Sequence, residues 1–587
     1  MPAERFRTWD RERLQRRLRV AQGLEPGDLL LRGGAIVDVF TQTVRPADVV
    51  VADGVIAGVG QVAWSAKETI DLAGRTVLPG LIDGHIHIES TLLMPARLAE
   101  VMVPLGTTAL IADPHEVGNV LGVRGIDLLA EASAGLPLDC FFMASSCVPA
   151  STWEEAGATL KAAEVGELLQ RGPVLGLAEM MDFPAVLGGQ AGPLDKILAS
   201  WNAGRPVDGH APGLAGAALQ AYVAAGMRSD HESTHTEEAR AKAQLGMMIQ
   251  VREGSAEHNL DELLPLLVAD ELGDWCLASD DVFPSDLRRL GHLDGLLRRL
   301  VAAGVPPARA VRHASLVPAR HYGLRDRGGL APGYRADLVV VNNLTEFRVE
   351  RVFKDGILAA RDGRYTFPQP PPQVPLENTV HLGTLSEGQF VLRLGQSAAA
   401  GKVEVPVVGI IPDQIVTRKL TRSVSHQDGQ YHFQPEEDVL VLANVERHRG
   451  SGHVGLGLVS GFGLKRHAAL GSSVGHDAHN LVMAGSRPSD LLAAARALAE
   501  MGGGFVVIEG GQVQARLPLP FAGLMSNADV DTLCRQLDEV NDAARHLGCP
   551  LAAPFGTLSF LALSVIPELR VTTHGTFDVL GQCIVPV

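Results

Sequence analysis

The chain has 587 residues, more than one hydrophobic core accommodates, so two to four domains are expected. Apolar residues make up 46% and charged residues 20%, the composition of a globular protein rather than a disordered one. The net charge of −16 disfavours nucleic acid as a partner, because gripping a phosphate backbone needs clustered Lys and Arg.

Residues 1–26 predict an N-terminal helical segment. The Arg-rich stretch 5–19 carries Asp10 and Glu12, which argues for a surface helix over a transit peptide, and it lacks the apolar core of a secretory signal. No apolar run approaches the roughly 18–20 residues of a membrane span, so no membrane partner is expected. Cys140, Cys147, Cys276, Cys534, Cys549 and Cys583 form no CxxC pair and read as reduced, mostly buried thiols, which points to the cytoplasm.

From residue 27 to residue 80 the texture is of short, glycine-broken strands, at 28–32, 35–39, 48–51 and 55–59. Strand texture returns over 325–367, with 336–341 a buried strand and 351–360 another. These flanks are expected to pair into one discontinuous β domain. Between them, 81–324 alternates apolar strand-like runs with helical patterns, the mark of a parallel α/β arrangement. Residues 368–379, with Pro370-Pro371-Pro372, read as a stiff linker. The remainder, 380–587, mixes strands (404–411, 439–445, 504–508) with helices (489–501, 528–547) and reads as an α+β domain.

Within 81–324 the strand-like runs end in histidines or acids. Parallel barrels carry catalytic side chains at the C-terminal ends of their strands, about once per βα unit of roughly 25–35 residues. His87 ends the first run and His115 follows one unit later. Residues 138–144 supply the third strand and 174–179 the fourth, ending at Glu179. His210 and His231 end the fifth and sixth, 247–252 forms the seventh with Glu253 just beyond, and Asp280 ends the eighth. The expected fold is therefore a (β/α)₈ TIM-type barrel, flanked by a small β-sandwich domain built from both sides and followed by the α+β domain.

His85 and His87 are two apart and point to the same side of a strand, so both imidazoles can reach one cation; the alternative is two ordinary histidines near a turn. Glu179 ends an apolar strand, where an unpartnered carboxylate is costly, so it needs a cation or a hydrogen-bond network. His210 and His231 suit the same cation. Asp280 can bind metal and accept a proton from bound water, or it can cap the following helix. Histidine and carboxylate ligands without cysteine suit Zn²⁺, Mn²⁺ or Fe²⁺, and the set is large enough for two ions. A metal pair that lowers the pKa of water serves hydrolysis of a C–N bond at an sp² carbon.

These residues resemble those of the amidohydrolase superfamily, and more narrowly the bacterial-type adenine deaminases. The likeness rests on Gly84-His-Ile-His-Ile-Glu-Ser-Thr91, Asp113-Pro-His-Glu-Val-Gly-Asn119, Leu177-Ala-Glu-Met-Met181, Asp208-Gly-His-Ala-Pro212, Ser229-Asp-His-Glu-Ser233, Ala278-Ser-Asp-Asp281 and Gly471-Ser-Ser-Val-Gly-His-Asp-Ala-His-Asn480. It implies hydrolytic deamination of adenine to hypoxanthine and ammonia, by a metal-bound hydroxide attacking C6. It implies Mn²⁺ or Fe²⁺ at a binuclear site, with Zn²⁺ as an alternative, and metal ligands His85, His87, Glu179, His210, His231 and Asp280. Glu179 stands where many superfamily members carry a carbamylated Lys, so the bridge needs no modification. Asp280 is expected to shuttle the proton. A glutamate is expected to protonate the purine ring; Glu89, Glu116, Glu232 and Glu253 are candidates, Glu232 is preferred, and each can instead orient a histidine ligand. Glu89, His115, Glu116, Glu253 and Asp281 are expected to line the substrate pocket. A purine is the expected small-molecule partner, and a homodimer or homotetramer follows by analogy.

His476, Asp477, His479 and Asn480 sit in a glycine-flanked turn far from the ladder, preceded by Lys465 and His467. Either Asp477 caps the next helix, or the loop closes over the barrel mouth with His476 and His479 contacting substrate or an extra metal. Other nucleobase deaminases and cyclic-amide hydrolases are the alternative activities, and a non-catalytic metal- or purine-binding relative is a further one. A cytidine-deaminase-type scaffold is set aside: His87-Ile-Glu89 matches its H-x-E, but no PCxxC follows.

Overall fold

The structure, a computed structural model, describes residues 10–255, 257–368, 373–395, 400–412 and 414–587. Pro370-Pro371-Pro372 of the expected linker and residues 5–9 of the expected N-terminal helix lie outside the described residues. The helix runs Arg11–Ala21, and its N-cap Asp10 accepts a hydrogen bond of 2.8 Å from the Arg13 backbone N–H.

Eight strands carry the ladder: β1 (Leu81–Ile86), β2 (Thr107–Ala112), β3 (Asp139–Ala144), β4 (Val174–Met180), β5 (Val207–Gly209), β6 (Ser229–Asp230), β7 (Met248–Arg252) and β8 (Trp275–Ala278). Nearly every residue in them is buried. That accounts for their continuous apolar runs, since strands covered by helices on the outside and packed within have no solvent face to alternate with. All pair in parallel. The first five form one sheet in sequence order and the last three another. Hydrogen bonds link the sheet edges. The His87 N–H donates to the Asp280 carbonyl (3.2 Å) and the Asp280 N–H to the His85 carbonyl (3.0 Å), while the Arg228 N–H donates to Val207 (3.0 Å) between β5 and β6. This arrangement of parallel strands is consistent with a TIM-like barrel.

Two antiparallel-rich sheets flank it. One pairs Val55–Gly60, Asp48–Ala52, Gly27–Arg32 and Ala66–Asp71; the other has seven strands. In the second, Thr76–Pro79 from before the ladder pairs antiparallel with Leu338–Val341 from after it. A single strand is expected over 351–360. It is a hairpin, Val349–Lys354 and Ile357–Arg361. Asp355 and Gly356 hold the two positive φ angles, 50° and 75°, that a two-residue type I′ turn demands, and Asp-Gly supplies them at little strain.

Beyond residue 400 a nine-stranded sheet carries the helix Pro488–Glu500, with the helix Val530–His546 and a three-stranded sheet beside it. Ser526 joins this region to the ladder: its N–H donates to the Leu92 carbonyl (2.8 Å) and its carbonyl accepts from the Met94 N–H (3.0 Å). Five cysteines are buried, Cys583 is exposed, and none is in a disulfide. No helix among the described residues is long and apolar enough to cross a membrane.

Candidate metal centre and active site

His85 lies on β1 and His87 just past it. Their Nε2 atoms stand 3.3 Å apart. The His87 Nδ1–H donates to the Asp113 carbonyl (3.0 Å), which fixes the tautomer and turns a lone pair inward. Asp83, two residues before His85 and fully buried, ties β1 to β8 by accepting from the Ser279 N–H (3.2 Å), and His292 Nε2 approaches it at 2.9 Å.

Glu179, near the end of β4, is the hub. Its Oε1 lies 3.3 Å from His87 Nε2 and 3.8 Å from His85 Nε2; its Oε2 lies 2.6 Å from His210 Nδ1 and 3.2 Å from His231 Nε2. Burial opposes its charge, but His231 and His210 hold the carboxyl well below the usual range. The His85 and His231 rings stack at 4.3 Å. Asp280 closes the circle, with Oδ1 3.0 Å from His87 Nε2 and 3.5 Å from His85 Nε2. Six donor residues from β1, β4, β5, β6 and β8 and their ends thus converge, all of them buried except the partly buried His210. Buried imidazoles and carboxylates gathered in this way suit the binding of a metal ion.

Arg252, at the end of β7, donates through Nη1 to Asp280 Oδ2 (2.9 Å) and through Nη1 and Nη2 to the two oxygens of Glu232. Burial would raise the Asp280 carboxyl; His85, His87 and Arg252 hold it well below its ordinary value. Glu232 is held low in the same way, against burial, by Arg252 and His210.

Further out, the Ser90 hydroxyl donates to Glu116 Oε1 (3.1 Å) and approaches Asp281 Oδ1 at 2.5 Å. Glu89 accepts from the Val117 N–H (3.0 Å) through Oε1, while its Oε2 has no hydrogen-bond partner. Burial and the neighbouring Glu116 push the Glu89 carboxyl up to about 7. The C-terminal loop reaches this cluster. His476 Nδ1 lies 3.6 Å from Glu116 Oε1, His479 Nε2 lies 4.0 Å from Glu116 Oε2, and Asp477 Oδ1 lies 3.8 Å from His115 Nε2. Asp477 therefore faces His115 rather than capping a helix. The Asn480 amide donates to the Glu155 carbonyl (2.9 Å) and fastens the loop.

Glu253 is not brought into the cluster. Its carboxylate accepts from Arg299 and from the Leu260 N–H, because the chain turns outward after β7. His467 also lies apart, against Ser486 and Phe433. Sequence reasoning passed over Asp113, Ser90 and Cys147, and saw Arg252 only as a strand end. Asp113 carried a signal, two residues before His115 in the same motif; an isolated Cys or Ser carries none.

Residues 76–358 match the amidohydrolase family, and residues 414–583 match the adenine deaminase C-terminal domain. The adenine deaminase of Desulfatibacillum aliphaticivorans is 43% identical over 560 residues, spanning 95% of this chain and 97% of that one. That of Dehalococcoides mccartyi is 43% identical over 576 residues, 98% and 99% of the two chains. That of Methanothrix thermoacetophila is 41% identical over 568 residues, 97% and 98%. Identity at this level along nearly the whole length, with both domains matched and the strand-end donors assembled on Glu179, places the chain in the adenine deaminase family.

Proposed function

We infer that the protein is an adenine deaminase, hydrolysing adenine to hypoxanthine and ammonia at a metal centre. The observation that carries this is the convergence of His85, His87, His210, His231 and Asp280 on Glu179, in a chain alike to adenine deaminases from end to end.

We read 81–324 as one (β/α)₈ barrel, with 27–80 and 325–367 as its flanking β-sandwich and 380–587 as an α+β domain. His85, His87, Glu179, His210, His231 and Asp280 are the proposed ligands of two Mn²⁺ or Fe²⁺ ions. Glu179, with Oε1 toward His85 and His87 and Oε2 toward His210 and His231, would supply the carboxylate shared between them, without carbamylation. Bound there, the ions supply Lewis acidity and a water acidic enough to ionise near neutral pH.

In the proposed reaction, water adds to C6, the amino nitrogen leaves C6 as ammonia, and the C6–O bond remains. Asp280, fixed through Oδ2 by Arg252, takes the proton of the attacking water on Oδ1 and returns it to the departing nitrogen. A carboxylic acid protonates the adjacent ring nitrogen so that C6 accepts the oxygen, and it regains a proton from the C6 hydroxyl as the carbonyl forms. Glu232, the preference from sequence, gives both oxygens to Arg252 and is held as an anion, so we assign this step to Glu89, whose Oε2 is uncommitted. Glu116, Asp281, His115, His476 and His479 are the proposed walls of the purine pocket. Five buried thiols and no disulfide favour the cytoplasm as its setting.

The test is direct. Mn²⁺-loaded protein is mixed with adenine and the ultraviolet spectrum followed for hypoxanthine, with adenosine, guanine and cytosine as comparators. Turnover of adenine above the others is expected; preferential turnover of a comparator overturns the assignment.

A further inference from the structure

Beside the Glu179 hub lies a second group of metal-type donors, which meets the hub at His115, whose Nδ1 is 3.9 Å from Glu179 Oε1. His115 opens the helix His115–Ala132, Cys147 follows β3, and Asp477 belongs to the C-terminal loop. One donor atom from each lies within 4.8 Å of the other two, and the three residues are only 4%, 5% and 2% exposed.

The hydrogen bonding sharpens this. His115 Nδ1 stands 3.2 Å from Asp113 Oδ2, so its N–H donates there and the lone pair is left on Nε2. That lone pair faces Asp477 Oδ1 at 3.8 Å, beyond hydrogen-bond length. Asp477 Oδ2 is buried with no partner. Close by, Glu154 accepts from the Ser564 N–H (2.9 Å) and hydroxyl through Oε1, but its Oε2 is buried without a partner too. Burial, then the charge of Asp477, pushes the Glu154 carboxyl up to about 7. Burial, Asp113, Asp477 and Glu179 drive the Cys147 thiol far up as well. His476 Nδ1 stands 3.6 Å from Asp477 Oδ1 on one side, but the far oxygen Asp477 Oδ2 and Glu154 Oε2 remain unpartnered beside a lone pair and a thiol, a combination that is costly out of water without a further positive charge. In a tetrahedral site with bonds of about 2.0–2.3 Å, donor atoms stand roughly 3.3–3.8 Å apart, the spacing seen between His115 and Asp477.

We propose that His115, Cys147 and Asp477 bind a divalent cation of the Zn²⁺ or Co²⁺ class, distinct from the ions on Glu179. Mixed nitrogen, sulfur and oxygen donors suit a borderline-soft ion. Because two donors follow barrel strands and the third lies in the C-terminal loop, the cation pins that loop over the strand ends. The rival explanation is an imidazolium: unaided by metal, His115 is pushed up to about 10, burial being outweighed by Asp113.

Cobalt separates the two. Full-length protein is stripped of metal, reloaded with Co²⁺ and examined in the near ultraviolet. A thiolate-to-cobalt charge-transfer band is expected, since the Glu179 hub contains no sulfur donor. Cys147→Ser should abolish the band and lower the metal content by one ion per chain, Asp477→Asn should shift or weaken it, and Cys276→Ser should leave it intact. A Co²⁺-loaded protein without the band overturns the proposal, as does a band that survives Cys147→Ser. The readout is spectral, so it stands or falls separately from adenine turnover.

Discussion

Arg252 shows how much one side chain carries here. It is buried between two carboxylates and satisfies both, so its loss strands Glu232 and Asp280 as unpaired charges. Breaking a buried pair in this way typically costs about 3–5 kcal/mol. Arg252→Ala is therefore expected to lower the melting temperature and turnover together. Arg252→Lys keeps the charge but not the fork that spans two acids. It should retain the fold and lose about tenfold or more in kcat, with KM little changed. Added guanidinium ion should recover part of the Arg252→Ala activity; wild-type kcat in both variants would show that the clamp is idle. For Asp280→Asn in fully metallated protein, loss of the proton shuttle should cost about 10²–10⁴ in turnover, and near-normal hypoxanthine formation would remove the shuttle role. Between the acids, Glu89→Gln should depress kcat far more than Glu253→Gln, whose parent side chain faces Arg299.

At the level of elements, the short strands β5 and β6 hold the least redundant part of the scaffold. A Cβ on Gly209 would stand 2.4 Å from the Ser229 carbonyl oxygen, so β6 backbone, not a flexible side chain, would have to move. Gly209→Ala is expected to cost about 1–3 kcal/mol and to shift His210 relative to His231. Calorimetry and metal titration would read this as a lower melting temperature and weaker metal binding, and unchanged values for both would contradict it. These strands also mark where the sequence was readable. The ladder could be followed because each buried parallel strand is a solid apolar run that breaks at its polar end, and βα spacing repeats. So His210 and His231 located β5 and β6, although three and two residues carry almost no strand signal themselves. The hairpin turn at Asp355-Gly356 was legible and overlooked: Lys354-Asp355-Gly356 interrupts the apolar run, and Asp-Gly between two such runs is a strong hairpin signal. The Arg252 clamp, the outward turn of Glu253 and the meeting of His115, Cys147 and Asp477 depend on long-range geometry. No local pattern encodes such pairs, and a lone Cys in a loop gives no cue to its neighbours.

Across the whole molecule, the metal centre doubles as a joint. The proposed ligands His85, His87, Glu179 and His210 belong to the five-strand sheet and its ends, while His231 and Asp280 belong to the three-strand sheet. Between β1 and β8 the sheets are joined by the backbone bonds of His85, His87 and Asp280 and by Asp83 accepting from Ser279, and between β5 and β6 the backbone bonding is sparser than within either sheet. Ions held by ligands from both sheets therefore clamp both seams at once. A ligand that binds only the folded state adds about 2.7 kcal/mol of stability at a hundredfold excess over its Kd. Chelation should accordingly lower the melting temperature by several degrees, and Mn²⁺ should restore it. The loss of protection from hydrogen exchange should concentrate at β5, β6 and the β1–β8 seam rather than in the nine-stranded sheet. If the metal-free and Mn²⁺-loaded proteins melt together and exchange alike, the ions serve chemistry alone, and the seams must be held by packing among the apolar side chains behind them.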